Sequence, residues 1–259
     1  GLLGVVVWKG SWVILEPLTA AATYMIYSLW HQQYYSPDAF VVTLLFLLLF
    51  AVLFYSLHMA HIFRRTKPYP ELRVVVAGFN TFLYFIEMYV IINPPYHNWM
   101  GIVTLILGSV YFLTSRVINH RRPDALQAST QYTLTAIIFL VVATAIQFSG
   151  FTTVTVWAIE ALFLAWCGVR WKLRHVWITG LGVFAIAGFK FLFTYGALSF
   201  SPIQSFTLFM NGRDLAFLVF AATTGVATMV FKHTEGGRPT GIRTALHYTW
   251  CTTLFIFLT

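Results

Sequence analysis

Nine stretches of apolar residues, separated by short polar connections, follow one another along the chain. Each is roughly 20 residues long, enough for a helix rising 1.5 Å per residue to cross about 30 Å of hydrocarbon. Polarity does not alternate within the stretches, as it would in the strands of a membrane barrel. The pattern predicts an all-α polytopic transmembrane helical bundle with about nine spans, at 11–30, 38–60, 73–92, 98–117, 131–148, 152–170, 175–195, 211–231 and 243–259.

Lysine and arginine are concentrated in every second connection between these stretches. The connections at 31–37, 93–97, 149–151 and 196–210 contain neither residue. Short loops rich in Lys and Arg stay on the cytoplasmic side of a membrane. The pattern therefore predicts an orientation, with the cytoplasmic loops being those that carry Arg64, Arg65 and Lys67; Arg116, Arg121 and Arg122; Arg170, Lys172 and Arg174; and Lys232, Arg238 and Arg243.

The composition agrees with a chain that lies almost wholly in the membrane. Of the 259 residues, 59% are apolar and 9% charged, and the mean hydropathy is +0.76. Nine spans leave only short loops, so we expect residues 1–259 to form a single transmembrane domain. The net charge of +8 lies mainly at the basic connections, where it meets anionic lipid headgroups. Membrane lipids are therefore the expected partners, and nucleic acid is not.

A few charged residues fall inside or at the ends of the apolar stretches. Charge at such depth is costly unless it is paired or wetted, so each is a candidate functional residue. The predicted orientation brings five of them towards the outer face, with Glu160 about 12 Å deep. We expect these five to line one outward-facing polar cavity: Glu87, Glu160, Lys190, Arg213 and Asp214.

Structural interpretations of the same charges stay open. Glu160 and Lys190 lie on neighbouring spans and could neutralise one another as a buried ion pair. Arg213 and Asp214 could simply begin a helix capped by Asn211, or Arg213 could face an anion together with free backbone N–H groups. Glu16, just before Pro17, is expected to be interfacial.

No metal or cofactor is expected. His58 and His61 are three residues apart and share a helix face, but no carboxylate or cysteine lies at a matching spacing. Cys167 and Cys251 fall in separate apolar stretches, without a disulfide or metal framework.

The stretch from Ala145 to Gly168 resembles a segment of the DUF2339 family of bacterial predicted membrane proteins. The matching residues there include Gln147, Gly150, Trp157, Ala158 and Glu160. Further on, the segment around Lys190 resembles that family's lysine-containing helix end, and Asn211-Gly-Arg213 resembles the start of its next span. The resemblance implies a long, multi-pass protein of the bacterial cytoplasmic membrane, of which this chain would be a part. It implies no particular reaction.

Three functions fit these residues. The first is transport or handling of an anionic or amphiphilic envelope solute through the outward-facing cavity. The second is a structural subunit or scaffold that associates with other membrane subunits, its buried charges serving only to pack the bundle. The third is an integral-membrane enzyme acting on a lipid or glycan, with Glu160 as acid or base. No nucleophile–base pair is visible in the sequence to favour the enzyme.

Overall fold

The computed structural model describes residues 15–63, 71–192, 212–231 and 240–258. These residues form eight α-helices, with a short 3-10 turn at Pro37–Ala39 and no strand. The all-α prediction is therefore confirmed. The helices are α1 (Leu15–Tyr34), α2 (Phe40–Phe63), α3 (Glu71–Arg121), α4 (Leu126–Gln147), α5 (Gly150–Arg170), α6 (Arg174–Phe191), α7 (Gly212–Val230) and α8 (Thr240–Leu258).

Helix α3 is longer than any single span. Its 51 residues would extend for about 77 Å if straight, more than twice the hydrocarbon thickness. Pro94 and Pro95 lie inside it, and Tyr96 has a non-helical backbone (φ −134°, ψ 42°), so α3 consists of two helices joined at a kink. Proline causes the break because it lacks the N–H of the helical hydrogen bond and its ring clashes with the preceding turn.

Among the described residues, four helices are long and apolar enough to cross a membrane. They are α2 with the turn before it (Pro37–Phe63), most of α3 (Ala77–Arg121), α4 and α5, and the shorter segment Asp214–Val230 of α7 is also apolar. The described parts of α1, α6 and α8 contain more polar or charged residues, such as Glu16, Lys190 and Arg243. The four helices support membrane residence, while the total of nine spans stays a prediction.

The chain divides into two compact units, Gly1–Phe139 and Leu140–Thr259. In unit 1, the helices pack through tyrosines whose hydroxyls are hydrogen-bonded. Tyr111 stacks on Tyr132 with ring centroids 5.5 Å apart, and Thr81 and Tyr111 are joined by a 2.6 Å hydrogen bond. Tyr24 donates to Asn80 at 3.1 Å. These hydrogen bonds satisfy the tyrosine hydroxyls, because lipid tails offer no hydrogen-bond partner.

In unit 2, α5 and α6 form a close antiparallel pair. Their turn is closed by Leu173 N–H donating to Gly168 O at 2.8 Å, with Lys172 in the left-handed region at φ 56°. A Cβ added at Gly180 would lie 2.8 Å from Ala165 N, so the two backbones are in direct contact there. Small residues permit this approach, as they do in membrane helices generally. Helix α7 packs against both α5 and α8.

Candidate functional site

Lys190 is held over an aromatic ring of unit 2. Its ammonium Nζ lies 5.0 Å from the centroid of the Trp157 ring, a cation–π geometry. Trp157 is buried, while Lys190 remains partly exposed. Among the described residues, no ion pair within 4.0 Å joins Lys190 to Glu160. The structure therefore does not show the Glu160–Lys190 pair that the sequence left open.

The register of the α5–α6 pair explains this placement. Gly168 lies opposite Trp177, close to the turn. Lys190 lies more than three turns beyond Trp177, and the same distance back along α5 reaches the level of Thr155, about half a turn from Trp157. Glu160 lies about one turn nearer the turn of the hairpin. The lysine therefore reaches the tryptophan ring in preference to the carboxylate.

Trp157 is fixed in position by α4. Its indole Nε1–H is shared between Val141 O and Thr144 Oγ1, each at 3.2 Å. The Thr144 hydroxyl in turn lies 3.4 Å from Glu160 Oε2, at the long end of the hydrogen-bond range. Thr144, Trp157, Glu160 and Lys190 thus form one cluster on three helices, which we call the Trp157 cluster.

The Trp157 cluster contains two of the five predicted site residues. The sequence identified Glu160 and Lys190 by their charge but did not place Trp157 or Thr144 beside them. The three-residue spacing of Trp157 and Glu160 could have indicated a shared helix face. Both members of the charged pair are partly exposed, so the cluster presents a cation and a carboxyl group near one buried aromatic ring.

The other predicted site residues have different surroundings. Glu87 lies on α3 in unit 1 and is partly exposed, near Ser28 of α1. Asp214 is in the first turn of α7 and partly exposed. The side chain of Arg213 and the proposed cap Asn211 lie outside the described part of the structure. A common cavity for all five residues stays a prediction.

A buried pair of ionisable residues, not predicted from the sequence, lies in unit 1. Glu16 Oε1 is 3.3 Å from His58 Nδ1, and their side chains are 2% and 5% exposed. Glu16 lies on α1 and His58 on α2. The carboxylate beside His58 therefore comes from another helix, not from a residue at helical spacing on α2. The structure therefore buries the Glu16 side chain between α1 and α2, while its predicted position at the membrane interface stays a prediction. In the described residues, no three His, Cys, Asp or Glu side chains are arranged to hold a metal.

Comparison with known proteins identifies the family of the chain. The family model for a predicted membrane protein, DUF2339, matches residues 1–259. The chain belongs to the DUF2339 family. The resemblance inferred from the sequence is thereby confirmed. Neither a curated protein nor a solved structure matches the chain.

Family membership and the apolar helices together make this DUF2339 chain a membrane protein. Two of the three segments that carried the resemblance, those around Trp157 and around Lys190, meet in the Trp157 cluster. This is the best-defined candidate site in unit 2, because its residues are linked by distances rather than by sequence order alone.

Proposed function

We propose that this DUF2339 protein spans the bacterial cytoplasmic membrane nine times, with its basic loops in the cytoplasm. The break in α3 supports this number, because the 51-residue helix is long enough for two spans and divides at the predicted connection 93–97. The alternation of basic connections supports the orientation.

We further propose that the protein transports or handles an anionic or amphiphilic envelope solute through an outward-facing polar cavity. Of the five predicted residues, Glu160, Lys190 and Asp214 have described side chains in unit 2 and would line this cavity. The observation that carries the proposal is the Trp157 cluster, in which Lys190 and Glu160 are partly exposed and are not joined as an ion pair.

The energetic argument concerns the cost of charge at membrane depth. An ionisable side chain in a spanning helix is tolerated when it pairs with another charge or faces a water-filled cavity. Lys190 gains attraction from the Trp157 ring, but a cation–π contact leaves the ammonium with unused hydrogen-bond donors. An anionic group of the solute, or water in the cavity, would satisfy those donors.

A scaffold that associates with other membrane subunits is the second candidate. The observation in its favour is the same contact between Lys190 and Trp157, since a cation held on a buried ring can serve packing alone. In that case the charges would stabilise the bundle and would not recognise any solute.

Transport of a lipid can be measured in vesicles. We expect the purified protein to accelerate the movement of fluorescent phosphatidylglycerol between leaflets. This movement is measured by the quenching of the fluorescence with dithionite added outside the vesicles. Lys190→Gln removes the cation, so it should slow this movement about tenfold, equivalent to about 1.4 kcal/mol in the barrier. Arg121→Gln, at the exposed end of α3, is the control and should leave the rate unchanged.

Each alternative predicts a different outcome. Vesicles with and without protein would show equal quenching if the protein is a scaffold. A covalently altered fluorescent lipid, detected by mass spectrometry, would indicate the enzyme instead. An equal rate for the native chain and Lys190→Gln would contradict the role of the Trp157 cluster.

A further inference from the structure

The Thr144 hydroxyl has more acceptors around it than its one hydrogen can serve. Its oxygen lies 2.9 Å from Val141 O and 3.4 Å from Leu140 O on its own helix, and 3.4 Å from Glu160 Oε2 on α5. A threonine hydroxyl carries a single hydrogen and two lone pairs. The shortest contact takes this hydrogen, so Thr144 donates to Val141 O, as threonine side chains commonly do within a helix.

Thr144 therefore faces Glu160 as an acceptor. One lone pair of its hydroxyl oxygen receives the indole Nε1–H of Trp157 at 3.2 Å. The other is left for Glu160 Oε2, and an ionised carboxylate has no hydrogen to donate to it. Two acceptor oxygens would then face each other without a proton between them. A neutral carboxylic acid removes this conflict, because its O–H donates to the threonine oxygen.

The position of Lys190 agrees with an uncharged Glu160. An ionised carboxylate attracts an ammonium strongly in a medium of low dielectric. Glu160 lies about one turn from Trp157 on α5, within reach of the flexible four-carbon stem of lysine. The Lys190 ammonium nevertheless stays over the Trp157 ring, 5.0 Å from its centroid, and in the described part of unit 2 it forms no ion pair with Glu160.

Other ionisable groups lie further from Glu160 than the members of its cluster. The part of α4 that belongs to unit 2 has none. On α7, Asp214 lies one turn before Phe217, whose ring packs 4.1 Å from that of Phe191, so Asp214 is beyond the level of Lys190. The side chain before it in the sequence is outside the described residues. The remaining groups on α5 and α6 lie towards the turn between these helices: Cys167, Arg170, Arg174 and His175.

We propose that Glu160 is a proton-binding site that controls the position of Lys190. With the proton bound, Glu160 donates to Thr144 and the Lys190 ammonium stays on the Trp157 ring. When the proton leaves to water, the carboxylate draws the ammonium off the ring and the two form an ion pair. Because Glu160 is partly exposed, its carboxyl group can exchange this proton with water in the cavity.

The proton site regulates the anion site proposed above, and this consequence rests on that proposed function. Protonated Glu160 leaves the N–H donors of Lys190 to an anionic group of the solute, whereas ionised Glu160 competes with the solute for them. Solute handling should therefore slow as the pH rises and Glu160 loses its proton. Glu160→Gln keeps an uncharged side chain of nearly the same shape at every pH.

Infrared spectroscopy tests the proton site independently of transport. The full chain in phosphatidylglycerol-containing vesicles at neutral pH is compared with Glu160→Gln in the region of the carboxylic acid C=O stretch. We expect the native protein to show a band that Glu160→Gln lacks and that disappears in alkaline buffer. Glu87→Gln, the matched control in another membrane helix, should keep this band. Equal spectra of the native chain and Glu160→Gln would overturn the proposal.

Variants of Thr144 and Lys190 test the contacts of the same carboxyl group while Glu160 is kept. Thr144→Val removes the acceptor, so the C=O band should move to higher frequency, and Thr144→Ser should return it to the native frequency. Lys190→Gln removes the partner of the ionised carboxylate, so the band should persist into more alkaline buffer. A band that is identical in the native chain, Thr144→Val and Lys190→Gln would contradict the proposed switch.

The vesicle assay described above measures the consequence for the solute. The native chain should move fluorescent phosphatidylglycerol about tenfold more slowly in alkaline than in neutral buffer, equivalent to about 1.4 kcal/mol in the barrier. Glu160→Gln should keep the faster rate in both buffers, and Lys190→Gln should be slow in both. A native rate that is the same in both buffers would contradict control of the anion site by Glu160.

The two measurements distinguish the proton site from the function that it regulates. A titrating Glu160 band in a protein that moves no lipid would support the proton site and contradict transport. Lipid movement that is slowed by Lys190→Gln, without a Glu160 band at neutral pH, would support transport and contradict the proton site.

Discussion

Gly168→Ala is expected to destabilise the protein more than any other single methyl group added to unit 2. A Cβ at this position would overlap the backbone nitrogen of Trp177, and that atom cannot move away as a side-chain tip can. Helices α5 and α6 would have to separate beside their turn, at a cost of about 3 kcal/mol. Thermal unfolding in detergent should show a Tm lower by about 6–12 °C.

Gly182→Ala is the matched control for this substitution. Gly182 lies on α6 with nothing within 4 Å of an added Cβ. Alanine favours a helix over glycine by up to about 1 kcal/mol, so Gly182→Ala should leave Tm unchanged or raise it. A Gly168→Ala protein as stable as the native chain would contradict the close α5–α6 packing.

Glu16→Leu is expected to be the most damaging substitution in unit 1. Removing one member of a buried carboxyl–imidazole pair leaves the other polar group without this partner, at a cost of about 1–3 kcal/mol. His58→Leu should act similarly, as it takes the imidazole away from the buried carboxylate. The free energy of unfolding, measured in detergent with increasing denaturant, should therefore fall in both single variants.

The double variant shows whether the two residues act as a pair. Replacing both by leucine removes the penalty as well as the attraction, so Glu16→Leu with His58→Leu should recover most of the loss. The coupling energy should reach about 1–3 kcal/mol. His97→Leu is an exposed control and should change stability by less than about 0.5 kcal/mol. The pairing would be contradicted if the loss of unfolding free energy in the double variant equals the sum of the losses in the two single variants.

The helices were largely predictable because lipid imposes a simple rule on sequence. A chain that crosses hydrocarbon must satisfy its backbone internally, so a long apolar run becomes a helix. Pro94 and Pro95 lie in the predicted connection 93–97, and the kink in α3 falls there because proline interrupts the helical hydrogen bonds. The number of spans is harder to predict, because α6 covers most of the predicted span 175–195 but carries Lys190 and is not among the four described helices apolar enough to cross a membrane.

The candidate site was only partly predictable. Rare charges at depth identified Glu160 and Lys190, but the register of two antiparallel helices decides which residues meet. That register depends on the close approach at Gly168 and Gly180, and hydropathy does not encode it. A Glu160–Lys190 pair was therefore as reasonable from the sequence as the observed contact of Lys190 with Trp157.

The pair of Glu16 and His58 was missed for a related reason. Helical spacing reveals only partners of His58 on its own helix, whereas the carboxylate beside it comes from α1. In the same way, the contact between Thr144 and Trp157 could not be foreseen, because these residues belong to two separate apolar stretches. Which stretches become neighbours is a property of packing, not of any one stretch.

Chemical access to the Trp157 cluster tests the central claim most directly. Single cysteines at positions 160 and 190, in a background with Cys167→Ala and Cys251→Ala, would be treated in intact cells with a membrane-impermeant thiol reagent. Both should react from outside the cell, whereas Arg121→Cys should react only after the membrane is permeabilised. The outward-facing cavity would be contradicted if the cysteines at positions 160 and 190 react only after permeabilisation while the cysteine at position 121 is labelled from outside.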